Sequence, residues 1–275
     1  MSPCFAIVLL VLIPAAPAAA ADDAKTVRVA GIVLKWLKAD KAANCDRAES
    51  LIREAAAGGA EIVCTTECFL DGYAITNKEM PLEEYRALGE PIPGGPYYER
   101  LAKLADELDV YLCAGLPEAD GEHRHNTAAF ISPEGRLIGK YRKHKLGHEH
   151  VRNTPGAELP VFDTTHGKIG FMICADRRTP SLVQQLKDNG AELLICPSGG
   201  MFGPKSNDPI LQSRSKETGL PIVFVHPAEF LVTSPSGDID RRELLGDRLE
   251  IDPADVGTEV DSQEVFYFEV SPVRR

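Results

Sequence analysis

Positive charge is in short supply in this chain, where 30 Lys and Arg stand against 41 Asp and Glu and the net charge is −11 over 275 residues. No basic cluster interrupts that acidic balance, which argues against nucleic acid and anionic membranes as partners. Long hydrophobic runs are missing as well. The apolar run near the N-terminus, "FAIVLLVLIP", has ten residues, about half of what a membrane-spanning helix needs. There is no internal repeat and no low-complexity linker, so the chain reads as one domain with ample length for its own core.

That apolar run is followed by "AAPAAAADD", a small-residue stretch offering an Ala-x-Ala cleavage site before Asp22. Residues 1–21 therefore read as a secretory signal peptide. The segment before the run carries no Lys or Arg, and the alternative is an uncleaved N-terminal anchor. The expectation is export and cleavage to a periplasmic or secreted form. Cleavage leaves residues 22–275 as a single domain with unchanged charge and no stable membrane span.

Of seven cysteines, Cys4 lies in this leader and six remain: Cys45, Cys64, Cys68, Cys113, Cys174 and Cys196. An even number in an exported protein invites a disulfide framework. Yet Cys64, Cys113, Cys174 and Cys196 lie in or at the ends of apolar, strand-like runs, where cysteine serves as a small hydrophobe. Mostly free thiols are expected, with Cys64 and Cys68 the pair to check.

From residue 27 onward strands and helices alternate. "VRVAGIVL" is a strand, residues 40–57 an amphipathic helix, and "AEIVCTTE" the next strand. A helix over 96–108 leads to the strand "VYLCAGL" and then to a hairpin over 126–142, turned by Pro133 to Gly135. "IGFMIC" is a strand, and "TPSLVQQLKDNG" a helix with Thr179 as N-cap and Pro180 at its first position. "AELLICPSG" and "PIVFVHPAEF" are further strands around a helix over 207–218. The acidic tail beyond 236 reads as irregular, closing with the strand "EVFYFEV". The pattern implies a layered α/β domain with a mixed sheet and outer helices.

In such folds sites form at strand ends and the loops leaving them. Three of these junctions carry reactive groups: Glu67, Lys143 and Cys174. A thiol is largely protonated at neutral pH and needs a base or a positive charge to become a nucleophile. A partly desolvated Glu67 could accept its proton. Lys143 and the backbone N–H of Ala175 could stabilise an oxyanion. Taken singly, each residue also has an ordinary reading: a solvated loop carboxylate, a surface lysine, a core cysteine.

The surroundings separate these readings. "TTECFLDGY", "NTAAFISPEGRLIGKYRKHKL", "GFMICADRRTP" and "RSKETGLPIVFV" occur in that order, and together they resemble the four signature blocks of the nitrilase superfamily, the carbon–nitrogen hydrolases with a Glu-Lys-Cys triad. The resemblance covers about residues 27–240. It puts the general base on Glu67, the lysine on Lys143, the nucleophile on Cys174, and the last block on Arg214 and Glu217. It implies an α-β-β-α sandwich, pairing into a homodimer or larger homo-oligomer, and no metal or organic cofactor. Its second glutamate, after the lysine block and before a Pro-Gly, falls on Glu149, to orient Lys143 or the substrate amine; a solvated loop carboxylate is the other reading. The chain departs from the family pattern at Thr66, Thr179 and His226, and the loop from Lys143 to Glu149 is short. These positions touch the pocket wall more than the triad.

The adjacent Arg177 and Arg178 in "CADRRTP" resemble the N-carbamoyl-D-amino-acid amidohydrolase branch, where an arginine fork suits a substrate carboxylate. An ion pair with Asp176 or an interface contact is the alternative for Arg177. The implied activity is hydrolysis of a small amide or N-carbamoyl substrate through a thioester, with nitriles less favoured. Two rivals stand beside it. His144, His148 and His150 in "HKLGHEH" could bind zinc, although Gly147 interrupts the run. A catalytically silent binding protein could keep the same fold.

Overall fold

The computed structural model describes residues 26–200, 203–246 and 248–274, so the leader read at 1–21 lies outside the described residues. The first strand shows how the sequence builds the layers. In β1 (Val27–Val33) residues alternate between two cores, as the period of a strand requires. Val27, Val29 and Val33 pack in one, while Ala30 and Ile32 pack in the other. The second of these cores is closed by α1 (Lys41–Ala57) and α3 (Pro96–Leu108), through residues such as Leu51, Ile52, Leu101 and Leu104. Asp40 begins α1 by accepting the Ala43 N–H, and Pro96 begins α3.

β1 lies beside β2 (Ile62–Cys64), then β3 (Tyr111–Asp120), β4 (His123–Ile131) and β5 (Leu137–Arg142). On its other side it pairs antiparallel with β12 (Glu264–Val270), giving the order β12-β1-β2-β3-β4-β5. The second sheet has the order β11-β10-β9-β8-β7-β6. Its strands are β6 (Val161–Thr164), β7 (Gly167–Phe171), β8 (Leu193–Pro197), β9 (Ile222–His226), β10 (Glu229–Thr233) and β11 (Ile239–Leu244). Both sheets are mixed. Helices α4 (Pro180–Asp188) and α5 (Pro204–Thr218) cover the outside of the second sheet, and the short α2 (Leu82–Leu88) lies ahead of α3.

The inner faces of the two sheets meet in a core that includes Phe130, Phe162, Phe171 and Phe230. The rings of Phe130 and Phe171 stand 5.0 Å apart in an edge-to-face arrangement. Gly31 lets β1 lie close against the second sheet, since a Cβ there would fall 2.3 Å from the ring of Phe230. The result is an α-β-β-α sandwich.

Three expectations change. "PIVFVHPAEF" is not one strand but the β9–β10 hairpin, turned at Pro227 and Ala228. The tail beyond 236 is only partly irregular, because β11 pairs with β10. Thr179 stands at the start of α4, but its side chain makes no cap hydrogen bond. All six cysteines from Cys45 to Cys196 are buried free thiols, including Cys64 and Cys68. Among the described residues no helix is long and apolar enough to cross a membrane.

Candidate active site

Glu67 follows β2, Lys143 follows β5, and Cys174 follows β7, so the two sheets deliver the three groups to one end of the sandwich. Lys143 lies between two carboxylates. Its Nζ donates to Glu67 Oε1 at 2.5 Å and also to Glu149 Oε1. These three side chains are almost wholly buried. Asn126, on β4, ties the carboxylates together: its Nδ2 donates to Glu67 Oε1 at 2.7 Å and to Glu149 Oε2 at 3.1 Å. Tyr73 OH and Asn153 Nδ2 donate to Glu149 at 3.2 Å each, and Tyr85 OH fixes Asn153 at 2.6 Å.

This packing shapes the electrostatics. Burial raises the pKa of Glu67, with Glu149 adding to the rise and Lys143 and Asn126 opposing it. Burial alone would lower that of Lys143, but Glu67, Cys174 and Glu149 outweigh it and hold the ammonium charged. Glu67 Oε2 is buried and receives no donor. A desolvated carboxylate with one uncommitted oxygen beside a fixed ammonium can take up and return a proton.

Cys174 is 5% exposed and has φ +46°, the left-handed region that a side chain rarely adopts. Such a conformation costs about 1–3 kcal/mol and persists only where its surroundings enforce it. Asp176 supplies the enforcement. Its Oδ2 accepts from the Ile173 N–H at 3.0 Å and from Tyr141 OH at 2.8 Å. Its Oδ1 accepts from the Lys145 N–H at 2.6 Å, which clamps the cysteine turn to the loop carrying Lys143. Half-buried Ala175 is the next residue of that turn.

A cavity of about 510 Å³ lies beside this cluster, lined by Trp36, Tyr73, Gly199 and His226 among others, with Tyr73 bonding Glu149. A Cβ on Gly199 would lie 3.0 Å from Trp36 Cη2 and 3.2 Å from Glu67 Oε2. Glycine thus sets the distance between the cavity wall and the free carboxylate oxygen. The variant Gly199→Ala should stay folded while losing about tenfold in kcat/KM for a small amide, because displacing a reacting group by a fraction of an ångström is enough. Steady-state kinetics with a thermal melt check this.

Of the remaining sequence candidates, Arg177 packs beside the Cys174 thiol and the others lie farther off. Arg177 is buried, with Nη2 donating to Asn207 Oδ1 at 2.5 Å and Nη1 to Ser198 Oγ at 3.4 Å; its guanidinium carbon sits 5.4 Å from the Phe224 ring centre. Neither Arg177 nor the exposed Arg178 lines the cavity, and Asp176 takes its hydrogen bonds from other residues. Arg214 donates to Glu217 at 2.8 Å on α5. His144 bonds the Glu158 carbonyl and His150 the Gly147 carbonyl, while exposed His148 meets the edge of Tyr73. Among the described residues no three His, Cys, Asp or Glu side chains gather as a metal site. Sequence reasoning did not single out Asn126, Tyr73 or Asn153, although "HNTAAF", "DGY" and "VRNTPG" hold them in or beside the signature blocks.

Comparisons with known proteins bear on the family and the fold. The sequence profile of the carbon–nitrogen hydrolase family matches residues 27–243. Nitrilase 3 of Arabidopsis thaliana is 36% identical over 192 residues, 64% of this chain and 55% of that protein. Omega-amidase NIT2 of Homo sapiens is 35% identical over 203 residues, 68% of this chain and 70% of that protein. The alignment therefore spans little more than half the length of the plant relative. Among solved structures, Nit3 of Saccharomyces cerevisiae superposes with a TM-score of 0.75 over 90% of each chain at 25% identity. An amidase from a Nesterenkonia species shares the fold, with a TM-score of 0.73 over 90% of this chain and 91% of that one at 19% identity. The chain belongs to the carbon–nitrogen hydrolase family of the nitrilase superfamily.

Proposed function

We propose that the protein hydrolyses the carbon–nitrogen bond of a small non-peptide amide through a thioester on Cys174. The observation that carries this reading is Lys143 held between Glu67 and Glu149, with one oxygen of Glu67 left without a donor beside the cavity. Glu67 accepts the thiol proton as the Cys174 sulfur bonds to the amide carbon. The ammonium of Lys143 and the N–H of Ala175 stabilise the oxyanion. The carbon–nitrogen bond then breaks, and the departing nitrogen takes the proton from Glu67 and leaves as ammonia. Glu67 next draws a proton from water as its oxygen attacks the thioester. Collapse of this second intermediate releases the carboxylic acid and returns the proton to sulfur. Glu149 and Asn126 keep Lys143 and Glu67 in place throughout.

An amide is favoured over an N-carbamoyl amino acid because the guanidinium of Arg177, the group suited to a substrate carboxylate, is turned to Asn207, Ser198 and the Cys174 thiol. Likeness to an omega-amidase supports the same choice. The test is ammonia release from a panel of primary amides, N-carbamoyl amino acids and nitriles, with Cys174→Ala as control. Release from amides that disappears in the variant is the expected result. Release from the carbamoyl compounds or nitriles alone would overturn the choice of amides, and release that survives in the variant would overturn the cysteine mechanism.

A further inference from the structure

The cavity is walled by Tyr73, which bonds Glu149, and by Gly199, which stands against Glu67, and it also has an acidic wall. Glu229 begins β10, directly across the hairpin from His226, and lines the cavity although it is only 1% exposed. Its Oε2 accepts weakly from Asn207 Nδ2 at 3.4 Å, and its Oε1 is buried with no donor at all. Asp208, on α5, has the same feature: Arg242 Nη1 donates to its Oδ2 at 2.7 Å while its Oδ1 has no donor. Burial, and after it a hydrogen bond shared with the Asp208 carboxyl, pushes the Glu229 pKa up to about 8.

The other charged groups around this wall are occupied. Arg177 reaches Asn207 rather than Glu229. His226 is neutral, since burial pushes it down to about 4, and its ring nitrogens meet the Gly200 carbonyl and the Ala228 N–H. Arg248, also lining the cavity, bonds Asp255 and the Glu250 carbonyl, and Glu250 pairs with Lys38. Glu229 is thus a carboxyl group that lines the cavity, has no cation of its own and shares its proton with the Asp208 carboxyl.

We infer that Glu229 determines specificity at the end of the substrate remote from the amide: the site takes an amide ending in an ammonium and rejects one ending in a carboxylate. This rests on the amide-hydrolase reading. The ammonium donates to Glu229 Oε1, and its charge balances the carboxylate that forms when Glu229 gives up its proton to solvent. A substrate carboxylate would instead add a further negative charge beside Glu229 and Asp208.

The sign of the pH dependence follows. An ammonium-ended amide gains as Glu229 ionises, whereas a carboxylate-ended one loses. The probes are δ-aminovaleramide, hexanamide of equal length, and glutaramate. Between pH 7 and 9 the ionised fraction of Glu229 rises about tenfold, while an alkylammonium stays charged. The kcat/KM of δ-aminovaleramide relative to hexanamide should therefore rise close to tenfold over that range, with glutaramate falling behind both. Glu229→Gln should flatten this ratio. If that variant does not fold, the wild-type profile still decides, and Asp208→Asn should move its midpoint to lower pH by removing a like charge.

A flat ratio in the wild type, or preference for glutaramate at pH 9, overturns the inference. In that case Cys174-dependent hydrolysis of hexanamide leaves the proposed function standing. If none of the three amides is hydrolysed, the proposed function falls. Calorimetric binding to Cys174→Ala then decides: preference for δ-aminovaleramide growing with pH supports the role of Glu229, and equal or absent binding overturns it.

Discussion

Alanine at position 174 is expected to reduce amide hydrolysis by on the order of 10⁴-fold or more, as loss of a covalent nucleophile does in other hydrolases. The size of the effect follows from what remains. Without sulfur there is no thioester, and Glu67 could only assist direct attack by water at a carbon positioned for a different atom. Folding should be little affected. Alanine is smaller than cysteine at a site already held in the left-handed region by Asp176, whose three hydrogen bonds involve Ile173, Tyr141 and Lys145 rather than the thiol. Ammonia release and a thermal melt on the same preparation separate chemistry from folding. Turnover retained within tenfold of wild type would remove Cys174 from the mechanism.

The second large effect concerns the buried ammonium. In Lys143→Met, Glu67 and Glu149 lose the cation between them, while Asn126 still holds both carboxylates in place. Removing one partner of a buried ionic cluster costs about 3–5 kcal/mol. For a domain of this size that lowers Tm by roughly 10 °C. Activity should fall by on the order of 10³-fold, since a main source of oxyanion stabilisation goes with the lysine.

The deficit should depend on pH in a set direction. Burial already raises Glu67 and Lys143 opposes that rise, so removing Lys143 raises it further. A carboxyl whose pKa is higher folded than unfolded binds more protons in the native state, so stability falls as pH rises through the interval between the two values. The difference in Tm between wild type and variant should therefore shrink as pH is lowered from 8 toward 5. Adding Glu149→Gln to Lys143→Met should restore part of the stability and none of the activity. A constant difference across pH would mean that packing, not charge, is what Lys143 supplies.

Much of this was legible from order along the chain. Glu67, Lys143 and Cys174 each follow a strand-like run, and their neighbours "DGY", "YRK" and "ADRR" repeat a family pattern. The apolar stretch "VRVAGIVL" announced a strand, and Pro180 announced the start of α4. These features are local, set by side-chain period and backbone preference within a few residues. The hairpin at Pro227–Ala228 was not legible, because its turn lacks the Gly or Asn that marks tight turns and both arms are mostly apolar and buried throughout. Nor was the placement of β12 beside β1, whose register joins Val27 to Val270.

By itself, then, the sequence determined that the chain builds a layered α/β domain and which three side chains stand at its strand ends. Only the tertiary structure decided that Lys143 is shared by two carboxylates, that Asn126 and Tyr73 secure them, that Arg177 turns into the protein, and that Glu229 lines the cavity. Each of those outcomes depends on which segments distant in sequence meet and on how fully they exclude water. Burial changes what an acid, an amine or a guanidinium does, and no local pattern of residues encodes it.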